Sequence, residues 1–251
     1  MSPQKNLFIA MWSGPRNIST ALMRSFENRP DTFVCDEPFY AHYLSHTGYN
    51  HPDKDLICEQ HETNWQKVVE QLTNPPSAET SIFYQKQMAH HLLDHIDRSW
   101  LLRPDFQHGF LLRDPEDMLL SLIKILPDVT LLETGLPQQL ELFQLIQQES
   151  ETPPVVIHAP DLLASPQQML GAICESFSIE FTPKMVSWPS GSRESDGIWG
   201  KHWYTNAYRS TQFGKYTDKN EELPDGFRKL LDECQEIYSQ LEPFCIAPLS
   251  T

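Results

Sequence analysis

The stretch Lys5–Asn28, KNLFIAMWSGPRNISTALMRSFEN, reads as strand, loop and helix in direct succession. Leu7 to Trp12 is an unbroken apolar run of strand length, the pattern of a strand buried on both faces. Gly14, Pro15 and Arg16 form the loop, and Ser19-Thr20 opens a helix whose Leu22, Met23 and Phe26 recur at helical spacing. The first N–H groups of a helix have no partner within it, and its aligned dipoles make that end positive, so the loop suits an anion. Arg16 adds a planar donor fork, and Ser19 and Thr20 add hydroxyls at the first turn. The plainer reading is an ordinary strand-to-helix turn with a Ser or Thr cap.

Outward from this unit the pattern repeats. Asp31–Asp36 reads as a second strand running into Glu37-Pro38, and Glu59–Thr73 as a helix stopped by Asn74-Pro75-Pro76. Ser81–Tyr84 is a third strand with a helix following through His95, and Gly109–Arg113 a fourth. Asp114 caps the next helix, with Pro115 at its first position. Leu136–Gln148 is helical, Pro154–His158 a fifth strand, and Pro166–Phe177 and Asp225–Leu241 later helices. Strands alternating with helices predict an α/β fold of about five parallel strands covered on both faces, in one domain over residues 1–251. Residues 187–214, rich in Gly, Ser, Trp and Tyr and without clear period, read as a lid or loop region.

Bulk properties narrow the function. The 251 residues carry a formal net charge of -15, which repels nucleic acid and anionic membranes, so a small-molecule partner is expected. An anionic ligand then has to be held by a local positive cluster. Neither a membrane-length apolar run nor an apolar leader in MSPQKN is present, and the five cysteines show no CxxC pair. These features predict a cytoplasmic protein with free thiols.

The residues after Gly14 are PRNIST, so the loop lacks the Gly-Lys of a Walker A motif, which argues against an ordinary ATPase or GTPase. Arg113 ends the fourth strand and Ser121 lies two turns along the next helix, where both can face the first loop. Arg113 can alternatively pair with Asp117. Together these segments resemble the sulfotransferases that use 3′-phosphoadenosine-5′-phosphosulfate (PAPS). That family has P-[KR]-S-G-T-[TS] after its first strand and R-x-P-x5-S later. Pro15-Arg16-Asn17-Ile18-Ser19-Thr20 matches the first in register, and Arg113-Asp114-Pro115 to Ser121 matches the second in spacing. Asp36-Glu37-Pro38-Phe39, the His158 to Pro166 segment, and Asp196 to Lys201 are softer matches. The WSGPRNIST…DEP…RDP pattern looks like the bacterial sulfotransferase-like branch that also occurs as a domain fused to aminotransferases.

The resemblance implies a P-loop-type fold and an enzyme moving a sulfuryl group from PAPS to a hydroxyl or amine of a small acceptor. It leaves adenosine 3′,5′-bisphosphate as product and uses no metal. It implies that Gly14, Pro15, Arg16, Asn17, Ser19 and Thr20 hold the 5′ end, that Arg113 and Ser121 hold the 3′-phosphate, and that Arg193, Gly200 and Lys201 form the late loop. Asn17-Ile18 stands where the family has Ser-Gly, and Ala21 where many members stack a Trp on adenine. For the base, Glu37 lies at a strand end beside the expected crevice, with His90 the second candidate; Lys86 is placed to contact the sulfuryl group. Arg16 is the remaining catalytic candidate, stabilising charge on the leaving phosphate. Phe39, Tyr40, His42 and Trp199 are the acceptor-pocket candidates, with His42, His46 and His51 in an aromatic loop. His91 and His95, i and i+4 on the helix read after the third strand, have metal-ligand spacing, without an evident third ligand. Two rival readings keep the fold: a kinase-like phosphotransferase, which should need Mg²⁺ and a loop lysine, and a nucleotide-binding module without turnover.

Overall fold

A computed structural model describes residues 6–74, 80–215 and 221–250. Lys5 of the opening stretch and the Pro75-Pro76 stop lie outside the described residues. Five strands form the core sheet: β1 (Leu7–Ser13), β2 (Thr32–Asp36), β3 (Ile82–Met88), β4 (Phe106–Leu112) and β5 (Val155–His158). Their order is β2-β3-β1-β4-β5, with every pairing parallel. The helices are α1 (Ser19–Glu27), α2 (Tyr40–Thr47), α3 (Lys54–Gln60), α4 (Trp65–Leu72), α5 (Pro115–Leu122), α6 (Leu136–Glu149), α7 (Ala159–Ala164), α8 (Pro166–Ser176), α9 (Gly200–Trp203), α10 (Thr205–Arg209) and α11 (Arg228–Leu241).

The alternation of β1 explains the two apolar layers. Phe8, Ala10 and Trp12 enter one core, against Phe106, Phe110 and Leu119, while Ile9 and Met11 enter the other, against Leu22, Phe26 and Ile173. Both faces of the sheet are covered, as a parallel sheet requires. Parallel strands also end together, so Ser13, Asp36, Met88, Leu112 and His158 deliver their following loops to one edge.

Several element readings need correction: Glu59–Thr73, read as one helix, is the end of α3 and then α4, with non-helical residues 61–64 between them and Asn64 capping the second. The third strand runs to Met88, not Tyr84, and is buried throughout despite Gln85-Lys86-Gln87. Having a neighbour on each side, it continues because its polar side chains find partners: Gln85 donates to the Leu72 carbonyl (2.8 Å), and the register sets Lys86 beside Asp36 of β2. His90 and His91 follow in a short 3₁₀ turn (Ala89–His91) rather than on a long helix. Ala41–His51, read as an aromatic loop, is helical as far as Thr47 in α2, and the region from 187 to 214 contains α9 and α10. The cap on α5 is as expected: the Asp114 carboxylate accepts from the Glu116 and Asp117 N–H groups. No helix among the described residues is long and apolar enough to cross a membrane.

Candidate active site

The loop after β1 is held from three sides. Gly14 lies against the turn before α6 so closely that a Cβ there would sit 2.1 Å from the Thr134 carbonyl oxygen. Gln139 of α6, fully buried, turns its amide to accept from Gly14 N (3.1 Å) and donate to the Leu111 carbonyl (3.3 Å). Asn17 Nδ2 donates to that same carbonyl (3.2 Å), fixing the loop to the end of β4. Arg16 (φ 66°) and Ile18 (φ 57°) are both left-handed, a costly geometry for a β-branched residue where a glycine would be unstrained. The ensuing α1 begins without a side-chain cap.

This backbone brings the two separate basic segments together. Arg16 Nε donates to Ser121 Oγ (2.9 Å), and an Arg113 guanidinium N–H donates to the Arg16 carbonyl (2.8 Å). Arg113 also meets Asp117 at 3.5 Å, so the local ion pair anticipated from sequence is present together with the long-range contact. Arg16 forms no ion pair among the described residues; burial, and next the charge of Arg113, lower its pKa. Two crowded guanidiniums, one lacking a carboxylate, beside an uncapped helix start form a local positive cluster that can hold an anion on an acidic protein.

A second cluster lies at the ends of β2 and β3. Lys86, only 1% exposed, is neither solvated nor at a helix start. Its Nζ donates to Asp36 Oδ1 (2.9 Å), Glu37 Oε1 (2.5 Å) and Tyr204 Oη (2.7 Å). The Tyr204 hydroxyl also accepts from Trp199 Nε1 (3.2 Å) and lies 2.8 Å from both Asp36 oxygens and 3.0 Å from Glu37 Oε1. The Gly197 N–H adds a bond to Asp36 Oδ2 (3.2 Å). Burial alone would lower Lys86, but Asp36 and Glu37 outweigh it and hold the ammonium above its ordinary value. Two carboxylates share one cation. Burial raises Glu37 above the ordinary carboxylate range; Lys86 opposes that shift and Asp36 reinforces it. Glu37 is also left-handed (φ 44°) and its side chain retains 11% exposure, a strained and partly accessible acid at a strand end.

The remaining candidates fall in different surroundings. His90 and His91 are not surface histidines. His90 sits edge-on to Tyr43, with its Nδ1 3.6 Å from where a Gly135 Cβ would lie, and burial, then His51, push its pKa down to about 3. His91 stacks on Tyr40 and Tyr43 and does not join His95. Phe39 packs into the core near Trp100, Tyr40 Oη meets His51 Nδ1 (2.7 Å), and Trp199 is buried edge-on against Tyr40. His42 is fully buried on α2. Ser19 is buried at the first turn of α1, with half-buried Thr20 next to it; Pro15 is half-buried in the loop.

The late-loop residues do not join Arg16 and Arg113. Arg193 meets Glu27 (3.5 Å), about 12 Å along α1 from Ser19 at 1.5 Å per residue. Lys201 pairs with Asp53 (2.5 Å), and Gly200 serves packing, since a Cβ there would lie 2.3 Å from Tyr208 Oη. Carboxylates at both cations, which the spacing gave no means to foresee, explain the difference. Gln139 is a site residue the sequence reading gave no role, its signal being a polar residue on the apolar face of LPQQLELF; Tyr204, read with Trp199, Trp203 and Tyr208 as an aromatic cover for the adenine or the acceptor or as an anchor for the lid, instead bonds the Lys86 cluster.

With this geometry in view, comparisons with known proteins are direct. Residues 7–241 match the model of the sulfotransferase domain, and the chain belongs to that family. In fold it resembles the sulfotransferase domain of the Synechococcus PCC 7002 olefin synthase (TM-score 0.62, 16% identity, covering 94% of this chain and 96% of that one). The sulfotransferase domain from the curacin biosynthetic pathway is also similar (TM-score 0.55, 13% identity, covering 97% and 99%). Branched-chain-amino-acid aminotransferase-like proteins 1 and 2 of Arabidopsis thaliana are 33% and 32% identical over 233 residues, 93% of this chain. The chain spans 41% of the length of each.

Proposed function

We propose that this chain is a PAPS-dependent sulfotransferase acting on a hydroxyl or amine of a small acceptor. The observation that carries the reading is the convergence of Arg16, Arg113 and Ser121 at the open start of α1. The residues fit a doubly phosphorylated nucleotide: folding crowds two guanidiniums that phosphate oxygens would bridge, and the first turn of α1 offers Ser19 and Thr20 beside its free N–H groups. When bound, the donor supplies the sulfuryl group and a phosphate leaving group.

The chain's own part is positioning and electrostatics, the terms that dominate the analogous phosphoryl transfers. Arg16 stabilises negative charge at the 5′ end, and Arg113 and Ser121 hold the 3′-phosphate. Glu37 takes the proton from the acceptor, its raised pKa bringing it closer to neutral pH than an ordinary carboxylate. Lys86 and Tyr204 orient Glu37 Oε1 rather than touching the sulfuryl group.

Calorimetry with adenosine 3′,5′-bisphosphate in the absence of magnesium, followed by transfer of radiolabelled sulfur from PAPS to an acceptor library, tests the assignment. Tight metal-free binding with turnover supports it. Binding of ATP only with Mg²⁺ identifies a phosphotransferase, and bisphosphate binding without any transfer identifies a binding module.

A further inference from the structure

The histidines of α2 meet a histidine far along the chain. His42 Nε2 and His95 Nε2 lie 2.9 Å apart, and one ring nitrogen each of His42, His46 and His95 lies within 4.8 Å of the other two. The backbone sets the tautomers. His42 Nδ1 lies 2.7 Å from the Thr63 carbonyl and His46 Nδ1 lies 3.0 Å from the His42 carbonyl. A carbonyl can only accept, so each Nδ1 carries the proton and each Nε2 presents a lone pair. Histidine ligands to metals are characteristically fixed in this way.

We propose that His42, His46 and His95 bind a zinc-type divalent cation through their Nε2 atoms. Three neutral imidazoles suit Zn²⁺, whereas Ca²⁺ and Mg²⁺ want oxygen ligands. Tetrahedral ligation at about 2.0–2.1 Å separates the nitrogens by roughly 3.4 Å, so His42 and His95 need to part by about half an ångström. His95 moves its shared proton to Nδ1, leaving its Nε2 free. The three histidines line, together with Thr63, Asn64, Trp65 and Gln66, one cavity of about 340 Å³, which leaves room for water or a small anion as a fourth ligand. Because α2 starts just after Glu37 and His95 lies beyond β3, the ion clamps together the two segments that carry Glu37 and Lys86.

The test is titration of the chelator-treated 251-residue chain with Zn²⁺ by calorimetry, and with Co²⁺ by visible absorption. One ion per chain, micromolar or tighter, is expected, with the intense Co²⁺ bands of tetrahedral ligation and a Tm raised by several degrees. His46 and His95 are exposed, so H46A and H95A should keep the fold while weakening binding at least tenfold. His202, paired with Asp53, is the control, and H202A should bind as the parent does. Absence of stoichiometric binding, or parental affinity in H46A and H95A, overturns the proposal. These readouts do not involve sulfuryl transfer, so the site stands or falls separately from the proposed activity.

Discussion

Arg16 and Ser121 are 105 positions apart in the chain, yet the Arg16 Nε donates to the Ser121 hydroxyl at 2.9 Å. The contact exists because β1 and β4 are adjacent parallel strands, so the loop after one and the helix after the other open on the same edge. Arg113 closes the arrangement by donating to the Arg16 carbonyl. Side chain and backbone of Arg16 are thereby fixed before any ligand arrives, which reduces what binding must order.

The first prediction follows from that preorganisation. Arg16→Ala should lower kcat/KM by about 10²–10³, the cost of removing a donor aimed at developing charge, while leaving circular dichroism unchanged. Ser121→Ala should act mainly on affinity for adenosine 3′,5′-bisphosphate, weakening it about tenfold, the loss of one hydrogen bond to a charged group. Equal loss of kcat in S121A would instead place Ser121 at the reacting centre.

Glu37 and His90 separate as bases by their surroundings. A histidine whose pKa is about 3 has too little proton affinity to serve near neutral pH, whereas burial moves Glu37 upward toward that range. Glu37→Gln should therefore cut kcat by about 10²–10⁴, and His90→Asn by less than about tenfold. Steady-state rates of the two variants decide the assignment.

The same shift gives a pH signature. Activity should climb with pH above 4.5, the ordinary value, as Glu37 ionises, and E37Q should lose that limb. Stability has the opposite sign. A carboxyl raised by folding contributes fully below its unfolded pKa and loses that contribution as pH rises through the folded value. The Tm of E37Q relative to the parent should therefore rise from acidic toward neutral pH, and a flat difference would mean that Glu37 is not raised.

Lys86 is the structural counterpart. Lys86→Met removes the only cation that touches Asp36 and Glu37 among the described residues, leaving buried carboxylates to face each other. A loss of about 3–5 kcal/mol in denaturant unfolding is expected. Adding Asp36→Asn to Lys86→Met should recover part of it, since the unpaired charge is the cause.

Local signals carried much of this architecture. The apolar run of β1, the Asp114-Pro115 cap and the spacing from Arg113 to Ser121 are read within a few residues, and each marks the element found. What was illegible depends on partners distant in sequence. β3 extends through Gln85-Lys86-Gln87 only because Leu72 and Asp36 satisfy it, and Arg193 and Lys201 turn away because Glu27 and Asp53 claim them. The polar strand and the diverted cations have no periodicity of their own.

Gly14 offers the sharpest test of how rigidly the anion loop is held. Its value lies in close approach: an added Cβ would meet the Thr134 oxygen at 2.1 Å and its carbonyl carbon at 3.3 Å, both backbone atoms rather than the free end of a side chain, so loop or turn has to shift. Gly14→Ala should push the loop away from α6, breaking the Gly14 N–H bond to Gln139 and moving Arg16 from Ser121. A cost of about 1–3 kcal/mol is expected, with a drop of about 2–4 °C in Tm for each. Bisphosphate affinity should fall at least tenfold. Gly214→Ala, where a Cβ meets nothing within 4 Å among the described residues, should leave both unchanged. If G14A loses stability but binds normally, the Thr134 turn has yielded in place of the loop, and the fixed position of Arg16 is not what sets affinity.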